Sequence, residues 1–224
     1  MIFPDQIVKS ARKTLSISIN RDGVIVVHVP KKMKDQDIKR FIESKQNWLA
    51  SKLSQIKNNN DKFEDIIHYN KFLICGNRYS LALADVNKAE INKGTIVLPK
   101  KIPEEKIMKH LISFYKKKAK EILNQRIAYI QSLMRITPKS IRFSNSKGRW
   151  GACTSSGAIS FNWRVVMLPP VLIDYVIIHE LCHLVEMNHS KRFWTLVETF
   201  ISNVDVIRQE IKEYGFLLEL YREG

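Results

Sequence analysis

Little in this chain points to secretion or to a membrane. It holds only 3 cysteines in 224 residues, Cys75, Cys153 and Cys182, scattered along the sequence with no C-x-x-C pair. A disulfide framework and a thiolate zinc site are both excluded as organising devices. No apolar run reaches the length of a membrane-spanning helix. The first residues, Met1-Ile2-Phe3-Pro4-Asp5, lack the basic start and apolar core of a signal peptide. A cytoplasmic, reducing setting without membrane association is therefore the expectation. The chain has no G-x-x-x-x-G-K-[ST] loop, which excludes the usual phosphate cradle. It also has no internal repeat and no low-complexity tract.

Acidic residues are the other shortage. There are 22 Asp/Glu against 37 Lys/Arg, a net charge of +15. The excess is uneven. Residues 1–60 carry a net +7 and residues 104–140 a net +6, while residues 141–224 balance to zero. Such a field attracts polyanions or acidic substrates. Few aromatics interleave with the basic runs, so no base-stacking platform is visible. The lysines are read first as a solvated face, and weak polyanion binding through the basic first half is the further expectation.

Against these absences stands one dense stretch, Ile177-Ile178-His179-Glu180-Leu181-Cys182-His183-Leu184-Val185-Glu186-Met187-Asn188-His189. Residues four apart on a helix lie one turn above each other. His179 and His183 therefore present two imidazoles on one face, spaced to grip one ion. Glu180 lies beside them, where a long carboxylate can reach a coordinated water. This is the H-E-x-x-H arrangement of zinc hydrolases, with the glutamate as general base. The preceding run Tyr175-Val176-Ile177-Ile178 buries the helix, and a buried acid is costly unless it is paired or linked to a metal. Cys182, between the histidines, is read as a small packed hydrophobe.

Two histidines leave a catalytic zinc site one ligand short. His189 is the favoured third ligand, provided the helix stops first, because six more helical residues would carry it about 9 Å along the axis. Asn188 offers a stop, since Asn tolerates the left-handed conformation that ends helices. Glu186 and Glu198 remain alternatives. One zinc ion is expected, with another divalent transition metal as the variant.

The rest of the chain reads as α+β. Leu15–Ile19 alternates, Asn20-Arg21-Asp22-Gly23 turns, and Val24–Val29 runs β-branched. A single helix is expected from Asp35 to about Ile56, closed by a polar loop at Asn58-Asn59-Asn60. A second β region runs from Phe72 to Leu98. Pro103-Glu104-Glu105 opens a long helix that ends before Pro138. A meander follows: Ile141–Ser144, the Gly148-Arg149-Trp150-Gly151-Ala152-Cys153 segment, and a strand from Ala158 to Val166. The metal helix and closing helices come last. Residues 1–103 are expected to form a basic β-rich module with one helix, and residues 104–224 the metal-bearing domain, whose edge strand can hold an extended peptide beside the metal.

Three blocks carry a family resemblance: Gly148-Arg149-Trp150-Gly151-Ala152-Cys153, Ile159-Ser160-Phe161-Asn162-Trp163-Arg164, and His179 to His183 continued through Asn188-His189-Ser190-Lys191-Arg192-Phe193-Trp194. Together they resemble the YgjP-like metal-dependent hydrolases, relatives of the SprT and WLM-type zinc peptidases. The match is densest from about Ser144 to Trp194. The resemblance implies a zincin-like domain: long helix, small antiparallel or mixed sheet, H-E-x-x-H helix and C-terminal helices. It also implies His179, His183 and His189 as ligands and Glu180 as the acid/base. A peptide or protein substrate is the leading expectation, with Arg149, Asn162 and Arg164 as candidate substrate-binding groups. The name UTP pyrophosphatase is also used for such proteins. A nucleotide substrate is therefore the rival, with Arg149, Arg164 and Lys147 meeting its phosphates. A basic nucleic-acid-associated module with a structural zinc is the third reading.

Overall fold

The structure is a computed structural model and describes residues 1–67 and 71–221. The chain divides into two compact units, Met1–Tyr69 and Asn70–Gly224.

In the first unit, β1 (Gln6–Ser10) and β2 (Ser16–Ile19) flank β3 (Ile25–Pro30) in a three-stranded sheet. β1 runs parallel and β2 antiparallel to β3. Alternation sets the faces: Ile25, Val27 and Val29 are buried and pack with Ile38, Ile42 and Leu49 from the helices. The expected single helix is two, α1 (Asp35–Ser44) and α2 (Gln46–Lys62), followed by the short α3 (Glu64–Ile67). The break at Lys45 frees Gln46 to clamp the backbone of Ile2, accepting from its N–H at 2.7 Å and donating to its carbonyl at 2.8 Å. Asn58–Asn60 do not end the helix but lie inside it. The Asn60 amide donates to the Arg21 carbonyl, a tertiary bond that overrides its weak helix propensity.

The second unit begins with a four-stranded sheet in the order β4-β5-β7-β6, from β4 (Phe72–Ile74), β5 (Asn77–Ala84), β6 (Glu90–Asn92) and β7 (Thr95–Pro99). The expected domain boundary at 103/104 differs from this division. The turn after β4 is hydrogen-bonded into the half that carries His179 and His183, with Cys75 N–H on the Val166 carbonyl at 2.7 Å and Gly76 N–H on the Met167 carbonyl at 3.2 Å. Gly76 has φ +76°, and a Cβ there would sit 3.0 Å from Pro169 Cα, so the close approach needs glycine.

α4 (Glu104–Met134) starts after Pro103 with Glu104 and Glu105 in its first turn and stops at Arg135 in the left-handed conformation. Its stripe of Leu111, Tyr115, Ala119, Leu123, Ile127 and Ile130 is almost fully buried. Each buried aliphatic side chain of this kind contributes roughly 1.5–3 kcal/mol. A second small sheet has the order β8-β10-β9, with β8 (Ser140–Ser144), β9 (Gly151–Cys153) and β10 (Ala158–Asn162). The strand expected to reach Val166 ends at Asn162. The Asn162 side chain accepts the Arg164 N–H and turns the chain into a 3-10 helix over Trp163–Met167. α5 (Pro170–Cys182) then runs through the core, apolar on nearly every side. Arg126 of α4 grips Asp174 of α5 through both nitrogens of its fork. α6 (Lys191–Glu198), α7 (Val204–Glu213) and a 3-10 segment (Tyr214–Glu219) close the unit. The α+β class and the order of elements around the metal helix are those expected. Among the described residues, no helix is long and apolar enough to cross a membrane.

Candidate metal centre

The helix that carries the first two histidines ends sooner than Asn188. α5 closes at Cys182, with His183 as its C-cap. Beyond it, Leu184 N–H bonds to Leu181 and Val185 N–H to Cys182, tightening the turn to three-residue spacing. His183 Nδ1 lies 3.1 Å from the Glu186 carbonyl, which fixes Nδ1 as the protonated nitrogen. Asn188 has a different task from the one expected of it. Its Oδ1 accepts the Ser190 N–H at 3.1 Å, and Ser190 Oγ in turn caps α6 by accepting from Phe193. These two local bonds set the loop so that His189 returns over α5.

His189 Nε2 stands 3.0 Å from His179 Nε2. Donor atoms of His179, His183 and His189 all lie within 4.8 Å of one another. Nitrogens around a tetrahedral zinc, with bonds of about 2.0–2.1 Å, are roughly 3.3 Å apart, so the cluster has the right size for one ion. Phe193, fully buried, touches all three rings: it stacks on His183 at 4.5 Å and meets His179 at 5.0 Å and His189 at 4.8 Å edge-on. Trp194 stacks on His189 at 5.5 Å and 21°. Burial first, then the neighbouring imidazoles and Arg208, hold His179 down at about pKa 3. His189 is lowered by burial, His183 and Arg208. Neutral imidazoles are the form that ligates a metal. His179 Nδ1 is buried with no partner among the described residues, so packing rather than a hydrogen bond orients that ring.

Glu180 lies between α5 and β9, only 6% exposed. Burial pushes its carboxyl up to about 7, against the opposing pull of Arg149. Its Oε2 is buried with no hydrogen-bond partner among the described residues. Gly151 makes this placement sterically feasible, because a Cβ there would stand 2.5 Å from Glu180 Cγ and 2.6 Å from Oε1. The donor set fits a divalent transition metal: three imidazole nitrogens, with His179 and His189 held in the neutral form.

The structure brings His179, His183 and His189 together, and Arg149 acts on Glu180, the residue that follows His179 on α5. It does not bring Asn162 and Arg164 to the same task. Asn162 is fully buried and sits on the central strand of its sheet, not an edge. Its amide donates to the Ser146 carbonyl at 2.6 Å and the Arg149 carbonyl at 3.3 Å, holding the loop before β9. Arg164 is 2% exposed. It donates to Asn145 Oδ1 and to the carbonyls of Leu220 and Tyr221, while lying 4.2 Å over the Trp163 ring. The alternative ligands Glu186 and Glu198 are outside the cluster of donors. Three contributors have no role in the sequence reading beyond their place in the blocks that carry the resemblance: Gly151, Phe193 and Trp194. The proximity of the aromatic pair to His189 was a usable signal. The steric role of Gly151 was not, because it depends on a contact across the fold.

Among curated proteins none matches this chain. Among solved structures, the metallopeptidase zymogen of Pyrococcus abyssi abylysin is similar at 21% identity and a TM-score of 0.37, over 45% of this chain and 97% of that one. Residues 13–214 match the model of the family described as YgjP-like, metallopeptidase domain. With nearly the whole sequence inside that match, the chain belongs to the YgjP-like family and is a metallopeptidase, a metal-dependent hydrolase.

Proposed function

We propose that this protein hydrolyses peptide bonds with one zinc ion held by His179, His183 and His189, and with Glu180 as general base. The observation that carries this reading is the convergence of three imidazoles within 4.8 Å, with a buried carboxylate whose Oε2 has no partner among the described residues on Glu180, the residue after His179. Zinc is favoured over magnesium or calcium because all three donors are nitrogen. When bound, zinc would supply the Lewis acidity that lowers the pKa of water towards about 7 and polarises a carbonyl.

The chain's own residues do the rest. Glu180 takes a proton at its carboxylate and passes it to the leaving amine. Phe193 floors the three imidazoles and excludes water from beneath them. β9 is an edge strand, so its outer main-chain groups are available to an extended peptide beside Glu180. Arg149, exposed and acting on Glu180, is the candidate donor to the developing oxyanion. Asn162 and Arg164 support this arrangement by positioning the loop and the C-terminal segment. The nucleotide reading is weakened by the same fact, since Arg164 is buried against carbonyls rather than available to phosphates.

Assaying zinc-loaded protein against a peptide library and against nucleoside triphosphates, with Glu180→Gln as control, tests the proposal. Peptide cleavage lost in Glu180→Gln is the expected result. Release of pyrophosphate without peptide cleavage would overturn it. Salt-sensitive nucleic-acid binding with Glu180→Gln fully functional would favour the structural-zinc alternative instead.

A further inference from the structure

We propose that Arg208 is a carboxylate-binding residue of the substrate site, so that the peptides cleaved carry an acidic side chain or a free terminal carboxylate close to the scissile bond. The inference rests on the peptidase reading and narrows its substrate class.

Arg208 projects from α7 towards the metal cluster. Its guanidinium lies 4.1 Å over the Trp194 ring, and that ring stacks on His189. Stacking fixes the plane of the fork and leaves its N–H edge for an acceptor lying in that plane. The side chain is 42% exposed and can be reached from solvent. Its ion-pair partner is Asp205, one turn earlier on α7, through a single 3.1 Å contact to a carboxylate that is itself 96% exposed. Such a pair is worth little and yields readily to a better-placed anion.

The location of the charge is the second observation. Groups around a metal's ligands are usually carboxylates or carbonyls, which reinforce the ion's field. Here a guanidinium stands behind the third proposed ligand, stacked on the ring that itself stacks on His189. A cation so placed, held only by an exposed carboxylate, opposes metal binding, and an anion arriving with the substrate removes that opposition. Residues 141–224 balance to zero net charge, so this is a local placement and not a by-product of the basic first half. The other cation acting on the centre, Arg149, lies on the Glu180 side. The acids on α5, α6, α7 and the loop between α5 and α6 are Asp174, which Arg126 holds, Glu180, Glu186, Glu198, Glu210, Glu213 and the already engaged Asp205.

The test uses synthetic peptides in matched Glu/Gln pairs, each with a free or an amidated C-terminus. They are cleaved by zinc-loaded wild type and bound to zinc-loaded Glu180→Gln. The Glu member, or the free-acid member, is expected to show roughly five- to tenfold higher kcat/KM and tighter binding, the usual scale for a charge-assisted contact at a half-exposed site. Which pair shows it distinguishes a side-chain from a terminal carboxylate. Arg208→Gln should bring the ratio within each pair close to one, Arg208→Lys should keep part of it, and Arg208→Glu should favour Lys-bearing peptides. A merely structural role would change both members equally and leave the ratio intact. Equal handling of each pair by wild type, or an unchanged ratio in Arg208→Gln, would overturn the inference while peptide cleavage itself stands. If wild type cleaves nothing, the peptidase reading fails separately, and unequal binding of the pairs to Glu180→Gln still decides for or against Arg208.

Discussion

Gly151 and Glu180 occupy interlocking space: a methyl group on Gly151 would lie 2.6 Å from Glu180 Oε1 and 2.7 Å from Cδ. A neighbour that is the arm of the proposed base cannot move without moving the base. Gly151→Ala is expected to lower kcat at least tenfold while zinc content stays near one per chain. Overpacking at such a contact also costs about 1–3 kcal/mol of stability. Steady-state kinetics beside a zinc titration checks this, and a variant with wild-type kcat would show that Glu180 is not constrained here.

Glu180→Gln keeps the shape of the side chain and removes the proposed base. Turnover should fall by roughly two to four orders of magnitude, as for loss of a general base, with zinc affinity retained. The metal-free protein carries a second signature. Burial raises the folded pKa to about 7 from an ordinary 4.5, so the native state holds the proton longer than the unfolded chain. Between these values stability falls as pH rises, and the full penalty, on the order of 3 kcal/mol, is present above the folded pKa. His179 pulls the other way. Its pKa, lowered to about 3 from 6.5, makes stability rise with pH across that lower window. Denaturant unfolding of both proteins in chelator separates the two. Glu180→Gln should gain on wild type steadily from about pH 4.5 to 7, and a constant difference would refute the buried-carboxyl account.

Trp194 and Phe193 pack against the rings proposed to hold the metal. Trp194→Ala removes the stack on His189, the one proposed ligand supplied by a loop, and should weaken zinc binding about 10- to 100-fold. His189→Ala should weaken it further. Competition against a colorimetric chelator measures both. Wild-type affinity in Trp194→Ala would mean that the loop is fixed by its own Asn188 and Ser190 bonds alone.

Arg149 and Arg164, equivalent in the sequence, should behave oppositely. Arg164→Ala loses the bonds to Asn145 and to the Leu220 and Tyr221 carbonyls, and is expected to lower stability by about 2–4 kcal/mol. Arg149→Gln should leave the melting temperature within about a degree, as surface changes do, and reduce kcat/KM. Thermal melts and peptide kinetics on both variants make the comparison. A destabilised Arg149→Gln, or an undisturbed Arg164→Ala, would reverse the assignment.

Several features were legible without coordinates. The long helix from Glu104 to Met134 follows from its apolar beat and its Pro-Glu-Glu start. The hairpin glycines and the β-branched runs mark β3, β5 and β7. Other features were hidden because long-range bonds decided them. The break between α1 and α2 goes with a bond of Gln46 to Ile2, 44 residues away. The end of β10 depends on Asn162 turning back on its own chain. Strand β1 has no sequence signature to match its parallel pairing with β3.

The sequence by itself determined the chemistry of the centre. Helical periodicity places His179 and His183 on one face with Glu180 beside them, and no tertiary contact is needed to see it. Only the tertiary structure decided which further groups join them. His189 reaches His179 because a turn closes at Cys182 and α6 is capped behind it. Gly151 makes room for the Glu180 arm, and Arg164 turns away to hold the C-terminal segment. Local spacing fixes what a few residues offer, but distance across the fold settles which charges and surfaces meet them, and that follows from packing the whole unit.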